Sequence, residues 1–188
     1  MRVIAGSARR LNLKSLPGEA TRPTLDRYKE TLFNTMQNYV PGSLFLDLFA
    51  GSGSIGIEAL SRGARQCYFI ENNRNAVKVI NENLEFTHLS DKGVVITADY
   101  MTGLFQIEKK GPFDVIFMDP PYDRDLEVQV IGYLKDSRLA DENTLIVAEA
   151  SNDTDFSFIN ELGFMLVKTK EYKTNKHVFI KRSQDGFI

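Results

Sequence analysis

Phe45-Leu46-Asp47-Leu48-Phe49-Ala50-Gly51-Ser52-Gly53-Ser54-Ile55-Gly56 runs from a short apolar stretch into a glycine-rich turn and on into a helical pattern. Glycines let the backbone turn tightly and approach a ligand closely, and the start of the following helix offers unpaired N–H groups. A side chain at Gly53 is therefore expected to intrude where backbone meets ligand. The spacing Gly51-x-Gly53-x-x-Gly56 is weak alone, since dinucleotide enzymes share it. Glu71 stands 20 residues after Gly51, at the end of the next apolar run, where a carboxylate can accept both ribose hydroxyls. Loop and acid together indicate a nucleoside-bearing cofactor.

Working outward, short apolar runs at 44–48, 68–70, 94–96, 113–118 and 145–147 read as buried strands bounded by Gly, Asp or Pro. Helical stretches lie between them, such as 73–86 with Ala76, Val77, Ile80 and Leu84 at helical spacing. Strands alternating with helices predict an α/β fold with a mostly parallel sheet covered on both faces. Residues 164–172 and 177–182 flank 173–176 as an antiparallel hairpin closing that sheet. The first forty residues stand apart. Residues 2–5 and 11–16 are expected to pair as a small hairpin, followed by a turn at Pro17-Gly18. Thr24 is the expected N-cap of a helix whose Tyr28, Leu32, Phe33 and Met36 share one face and which Pro41-Gly42 stops. The organisation is one domain over 1–188, with 1–40 as a basic appendage.

Charge supports that division. Residues 1–40 carry seven Lys/Arg against three acids, leaving 16 bases and 22 acids in the remainder. A basic arm on an acidic body suits docking to a polyanion, although an ordinary solvated basic face would give the same count. The 43% hydrophobic and 26% charged residues exclude a disordered or collagen-like chain. The lone Cys67 and two histidines supply neither a disulfide nor a zinc site, and no run approaches the ~18 apolar residues of a membrane span. A cytoplasmic, metal-free protein is expected. Cys67, Phe33, Phe86 and Phe164 read as core residues, and His88 and His177 as surface or hairpin residues.

Two further features choose the cofactor. Asp47 lies inside its strand, where a dinucleotide site normally has an apolar residue; a carboxylate there suits a cationic amino group. The run Asp114-Val115-Ile116-Phe117-Met118 leads into Asp119-Pro120-Pro121-Tyr122. Two prolines remove two N–H groups and fix φ, so the carbonyls between Asp119 and Tyr122 are held as acceptors. Asp119 adds a carboxylate and Tyr122 an aromatic face on which a base can stack. Such a turn holds a planar exocyclic amine.

These residues resemble the S-adenosylmethionine-dependent methyltransferases whose Asp/Asn-Pro-Pro-Tyr/Phe motif methylates amino nitrogens. The N-terminal segments Arg2-Val3-Ile4-Ala5-Gly6, Arg22-Pro23-Thr24, Asp26-Arg27, Lys29-Glu30 and Leu32-Phe33-Asn34, with Gly56-x-Glu58-Ala59-Leu60-Ser61-Arg62-Gly63, narrow this. They are similar to the RsmD family, guanine-N2 methyltransferases of bacterial small-subunit (16S) ribosomal RNA. The resemblance spans residue 2 to about 182 and departs at residues 8–12, where the family usually has a glycine between two basic residues. It implies a Rossmann-like methyltransferase fold with a seven-stranded sheet, S-adenosylmethionine as cofactor, and ribosomal RNA or the small-subunit particle as partner of a monomer. By the same resemblance Asp119, Pro120, Pro121 and Tyr122 are catalytic. Asp47, Phe49, Ala50, Gly51, Ser52, Gly53, Glu71, Asn72, Asp99 and Tyr100 bind the cofactor. Arg9, Arg10 and Arg22 are expected on substrate phosphates, with Thr24 beside them, because the basic arm offers planar guanidinium forks from loop or hairpin edges; Arg22-Pro23-Thr24 could equally orient the helix that follows. Asp99 could equally cap the helix after its strand.

Other readings stand beside this one. Adenine-N6 or protein glutamine-N5 methylation would use the same turn, although glutamine enzymes usually have Asn in place of Asp119. An NAD-binding oxidoreductase explains the glycines and Glu71 but gives Asp119–Tyr122 no role. A silent RNA-binding module explains only the arm.

Overall fold

A computed structural model describes residues 1–16, 23–121 and 125–183. Arg22 and Tyr122, and the side chain of Thr24, lie outside what is described. Seven strands form one sheet in the order β3-β2-β1-β4-β5-β7-β6. The strands are β1 (Leu44–Leu48), β2 (Gln66–Glu71), β3 (Gly93–Thr97), β4 (Val115–Met118), β5 (Leu145–Ser151), β6 (Phe164–Glu171) and β7 (Asn175–Arg182). The first five run parallel, and β7 joins β5 antiparallel with β6 at its outer edge. The helices are α1 (Pro23–Thr35), α2 (Ser54–Ser61), α3 (Arg74–Phe86), α4 (Tyr100–Ile107) and α5 (Leu126–Asp136). This is the expected mostly parallel sheet with its C-terminal antiparallel pair.

The central strands are apolar at nearly every position because helices cover both faces. On one face Phe45, Phe69, Val115 and Val147 meet Phe33 of α1, Ile57 and Leu60 of α2, and Ile80 and Leu84 of α3. On the other, Leu46, Ile70, Ile116 and Ile146 meet Leu104 and Ile107 of α4 and Val130, Ile131 and Leu134 of α5. Alternation of side chains along each strand divides the two cores. Gly56 lets α2 pack closely on β2. A Cβ there would stand 2.2 Å from Phe69 and 2.6 Å from the Cys67 sulfur, so the third glycine of the loop serves packing.

Several expectations need correction. The N-terminal hairpin is reduced to a single antiparallel bridge, Arg2 with Asn12. Around that bridge Val3 N–H donates to Leu11 O, Arg10 N–H to Val3 O and Leu13 N–H to Met1 O, while Ile4 and Ala5 donate to Glu58, and Ser7 and Ala8 to the Ser61 carbonyl and hydroxyl. The arm's Val3, Ala8 and Leu13 enter the α1–α3 core, so this segment shares the body's core. Helix α1 begins at Pro23, whose missing N–H costs nothing at a first helical position, and Thr24 is therefore inside the helix, not its cap. The helix ends at Thr35, before Pro41-Gly42 is reached. Edge strand β3 is only half buried. Phe86 is 52% exposed because it lies off the Ala76–Ile80–Leu84 stripe of α3, whereas Phe33, Phe164 and Cys67 are buried. His177 belongs to the hairpin but is buried, for a reason given below.

Candidate active site

The loop after β1 is tied by two carboxylates. Asp47 is buried beneath it, and its Oδ2 accepts the Gly56 N–H at 2.8 Å. Burial pushes the Asp47 carboxyl up to about 7, the Gly56 hydrogen bond opposes this, and the nearby Glu71 charge adds to it. Glu71, ending β2, accepts the Gly51 N–H on Oε2 and the Asn73 N–H on Oε1, both at 2.8 Å. Each of its oxygens keeps a second lone pair for a hydroxyl. The Gly53 N–H donates to Ala50 O at 2.7 Å, and Asn83 donates to Ser52 O at 3.0 Å, closing the loop from below.

The backbone here turns left-handed three times, at Phe49 (φ 68°), Gly51 (54°) and Gly53 (77°). A Cβ on Gly53 would meet Ile80 Cγ1 and Cγ2 at 3.2 Å, so a side chain there crowds the α3 core. Phe49 holds a conformation uncommon for an aromatic residue and sets its ring 5.3 Å from that of Tyr100.

At the C-terminal ends of β1, β2 and β4 lies a cavity of about 620 Å³. Ligands of doubly wound sheets bind at such strand ends, where the strand order switches, here between β1 and β4. Its walls include Phe49, Glu71, Asn72, Asp99 and Tyr100 on one side and Asp119, Pro120 and Pro121 on the other. Asp99 is both a wall and the N-cap of α4, accepting from Thr102 N–H; that hydrogen bonding holds its carboxyl below the usual range. Tyr100 OH donates to Gln129 Oε1 at 2.6 Å, bracing α4 against α5. The cavity therefore brings the expected ribose acid, the expected adenine neighbour and the Asp119–Pro121 turn, expected to hold the amine, to one place. Asp47, Ala50, Gly51, Ser52 and Gly53 do not line the cavity; they belong to the β1 end and the loop that border it.

Arg9 and Arg10 are exposed on the arm and do not line that cavity. With Arg2 and Arg27 they border a separate cleft of about 560 Å³, in which Asp26 and Glu30 supply the acidic groups. The Arg2 guanidinium pairs with Asp26 at 2.8 Å.

Sequence reading passed over the connector between arm and loop. Glu58 of α2 is fully buried and binds Ile4 N, Ala5 N, Lys29 Nζ (3.2 Å) and Arg62 Nε (2.7 Å). Lys29 Nζ also donates to Arg2 O, and burial lowers the Lys29 pKa against the pull of Glu58. The available signal was an acid in a helix that is otherwise small and apolar, placed immediately after the glycine loop.

Sheet order, the tied loop and the Asp119–Pro121 turn beside it define the class: a Rossmann-like S-adenosylmethionine-dependent methyltransferase. The chain belongs to the family described as conserved hypothetical protein 95, whose model matches residues 1–181. It is 40% identical over 154 residues to the ribosomal RNA small subunit methyltransferase D of Haemophilus influenzae, covering 81% of this chain and 80% of that protein. The protein of the same name from Escherichia coli K12 is 36% identical over 152 residues, covering 80% and 74%. Among solved structures, a candidate methyltransferase from Escherichia coli, yhhF, superposes with a TM-score of 0.83 at 29% identity, covering 98% of this chain and 99% of that one. The RsmD resemblance read from the sequence holds.

Proposed function

We propose that the protein transfers a methyl group from S-adenosylmethionine to the exocyclic N2 amine of a guanine in small-subunit ribosomal RNA. The observation that carries this reading is the shared cavity in which Asp119 and Pro120 face the cofactor-type residues Glu71 and Asp99. Relatives named as small-subunit ribosomal RNA methyltransferases support the choice of substrate.

The residues fit the cofactor. Glu71 offers free lone pairs to ribose hydroxyls, Asp99 offers a carboxylate near the base, and the Phe49 and Tyr100 rings form an apolar wall. When bound, the cofactor supplies an electrophilic methyl on a sulfonium. The exocyclic amine is a poor nucleophile because its lone pair is delocalised into the ring. Asp119 and the Pro120 carbonyl accept its two N–H bonds, which favours a pyramidal nitrogen with its lone pair directed at the methyl carbon. The amine becomes acidic only once alkylated, so no strong base is required. Tyr122, next in sequence after Pro121, offers a stacking face for a base lifted from its helix.

Residues 1–40 act in this reading as the RNA-docking part of the single domain, with Arg9 and Arg10 on phosphates. Arg22 and Thr24 are assigned to the same surface on sequence grounds. Small-subunit RNA or particles lacking the modification, incubated with the protein and cofactor, should yield N2-methylguanosine on digestion to nucleosides and mass spectrometry. N6-methyladenosine as the product, or no methylated nucleoside at all, would overturn the assignment.

A further inference from the structure

Beside the Asp119 turn, the ends of β5 and β7 carry polar groups that the methyl-transfer chemistry leaves unused. Glu149 and His177 are register partners on these strands, and His177 Nε2 lies 3.1 Å from Glu149 Oε2. Asn175 Nδ2 donates to the other oxygen, Oε1. Tyr172 OH meets His177 Nδ1 at 3.2 Å, and the Tyr172 ring packs on Tyr28 of α1 with centroids 4.5 Å apart. His177 and Asn175 are buried, while the Glu149 side chain keeps 22% of its surface exposed. The network fixes a carboxylate from the β7 side and leaves it facing outward.

Its position relative to the catalytic turn follows from the register. Strands β4 and β5 pair Met118 with Ala148, so the next residues along are Asp119 and Glu149. Adjacent strands lie ~4.8 Å apart. Glu149 stands outside the lining of the cofactor cavity, at the neighbouring strand end, where a base whose exocyclic amine reaches Asp119 can extend its adjacent ring nitrogen. In guanine that nitrogen, N1, carries a hydrogen and donates; in adenine the N1 beside the amine has only a lone pair. An ionised carboxylate only accepts, and after the Asn175 and His177 contacts each Glu149 oxygen keeps a second lone pair.

We propose that Glu149 reads the target base by accepting guanine N1–H while the Asp119–Pro120 turn holds the N2 amine, and that Asn175 and His177 position it to do so. The proposal rests on the methyl-transfer reading above and makes Glu149 a specificity residue of the same site. A purine that presents an unprotonated N1 meets carboxylate lone pairs and is rejected.

The test uses a fragment of small-subunit RNA carrying either guanine or 2-aminopurine at the methylated position. 2-Aminopurine keeps the exocyclic amine but has an unprotonated N1. The full chain should prefer guanine by ~100-fold in kcat/KM, the scale of one hydrogen bond to a charged group. In Glu149→Gln, an amide of similar size that can donate as well as accept, the preference should shrink at least tenfold through a gain on 2-aminopurine, with cofactor affinity unchanged. Equal losses on both RNAs would show that Glu149 only supports the fold and would overturn the proposal. Should that variant not fold, inhibition of the unaltered protein decides: RNA with inosine at the position, which keeps N1–H, should bind at least tenfold tighter than RNA with adenine. Equal binding would overturn the proposal. Absence of N2-methylguanosine from the guanine RNA would remove the reaction itself, an outcome distinct from product formed with an unchanged ratio.

Discussion

Glu58 and Lys29 form an ion pair at 3.2 Å with side chains 0% and 2% exposed, and this pair joins the N-terminal helix to the helix that follows the cofactor loop. A buried charge tolerates the interior only while its partner and hydrogen bonds remain. Glu58→Ala strands Lys29 and removes the acceptor of the Ile4 and Ala5 amides. Denaturant unfolding should show a loss of about 3–5 kcal/mol. Amide exchange should accelerate first at Ile4 and Ala5; unchanged exchange there would mean the arm is held by its apolar contacts alone.

Gly53 and Gly42 share almost the same φ, 77° and 76°, but only Gly53 has neighbours within reach of a Cβ. Gly42→Ala should therefore cost only the left-handed penalty of about 1–2 kcal/mol. Gly53→Ala should cost more, because Ile80 must also move, and calorimetry should find weakened binding of S-adenosylmethionine in this variant alone.

The Asp47 carboxyl rises from its ordinary 3.8 to about 7 on folding. Folding then favours the protonated form, so the contribution of Asp47 to stability is complete below pH 3.8 and is lost as pH rises to about 7. Asn in its place can still accept from Gly56 N–H but does not titrate. The difference in melting temperature between Asp47→Asn and the unaltered protein should grow in favour of the variant from pH 4 to about 7 and level off above that. A pH-independent difference would show that burial does not govern this group.

Asp119→Ala should reduce kcat far more than it raises the dissociation constant for the cofactor, because Asp119 acts mainly as the amine becomes pyramidal. A loss of ~10²–10³ in kcat is the scale of one donor or acceptor aimed at a transition state. Steady-state rates at saturating RNA and cofactor measure it directly; retention of most of the turnover would remove Asp119 from the chemistry.

Replacing Arg9 and Arg10 together by alanine should weaken RNA binding and flatten its salt dependence by ~0.7–0.9 of a unit in slope for each phosphate no longer neutralised. Cofactor binding should not change, since neither residue lines the cofactor cavity. An unaltered slope with normal methylation would make the arm's charge a solvated face.

What the sequence by itself determined was carried by short-range patterns. The extent of β1, the helical stretch at 73–86, the paired strands at the C-terminus, and the chemical types at 47, 71, 99 and 119 follow from neighbours within a turn or a strand. Those residues sit at the ends of parallel strands, and a parallel sheet gathers such ends at one rim; the candidate site was therefore legible before the fold. Tertiary structure alone decided where each acid directs its oxygens. Asp47 turns to Gly56 and Glu71 to Gly51, so both carboxylates build the loop, and Glu71 also lines the cavity. Beyond its own short hairpin, the arm closes on Glu58 and Ser61 more than fifty residues away. His177 and Glu149, 28 residues apart, meet through strand register. No local pattern encodes such partners, because the cost of burying a charge or an amide is offset by whichever group the packed chain brings to it.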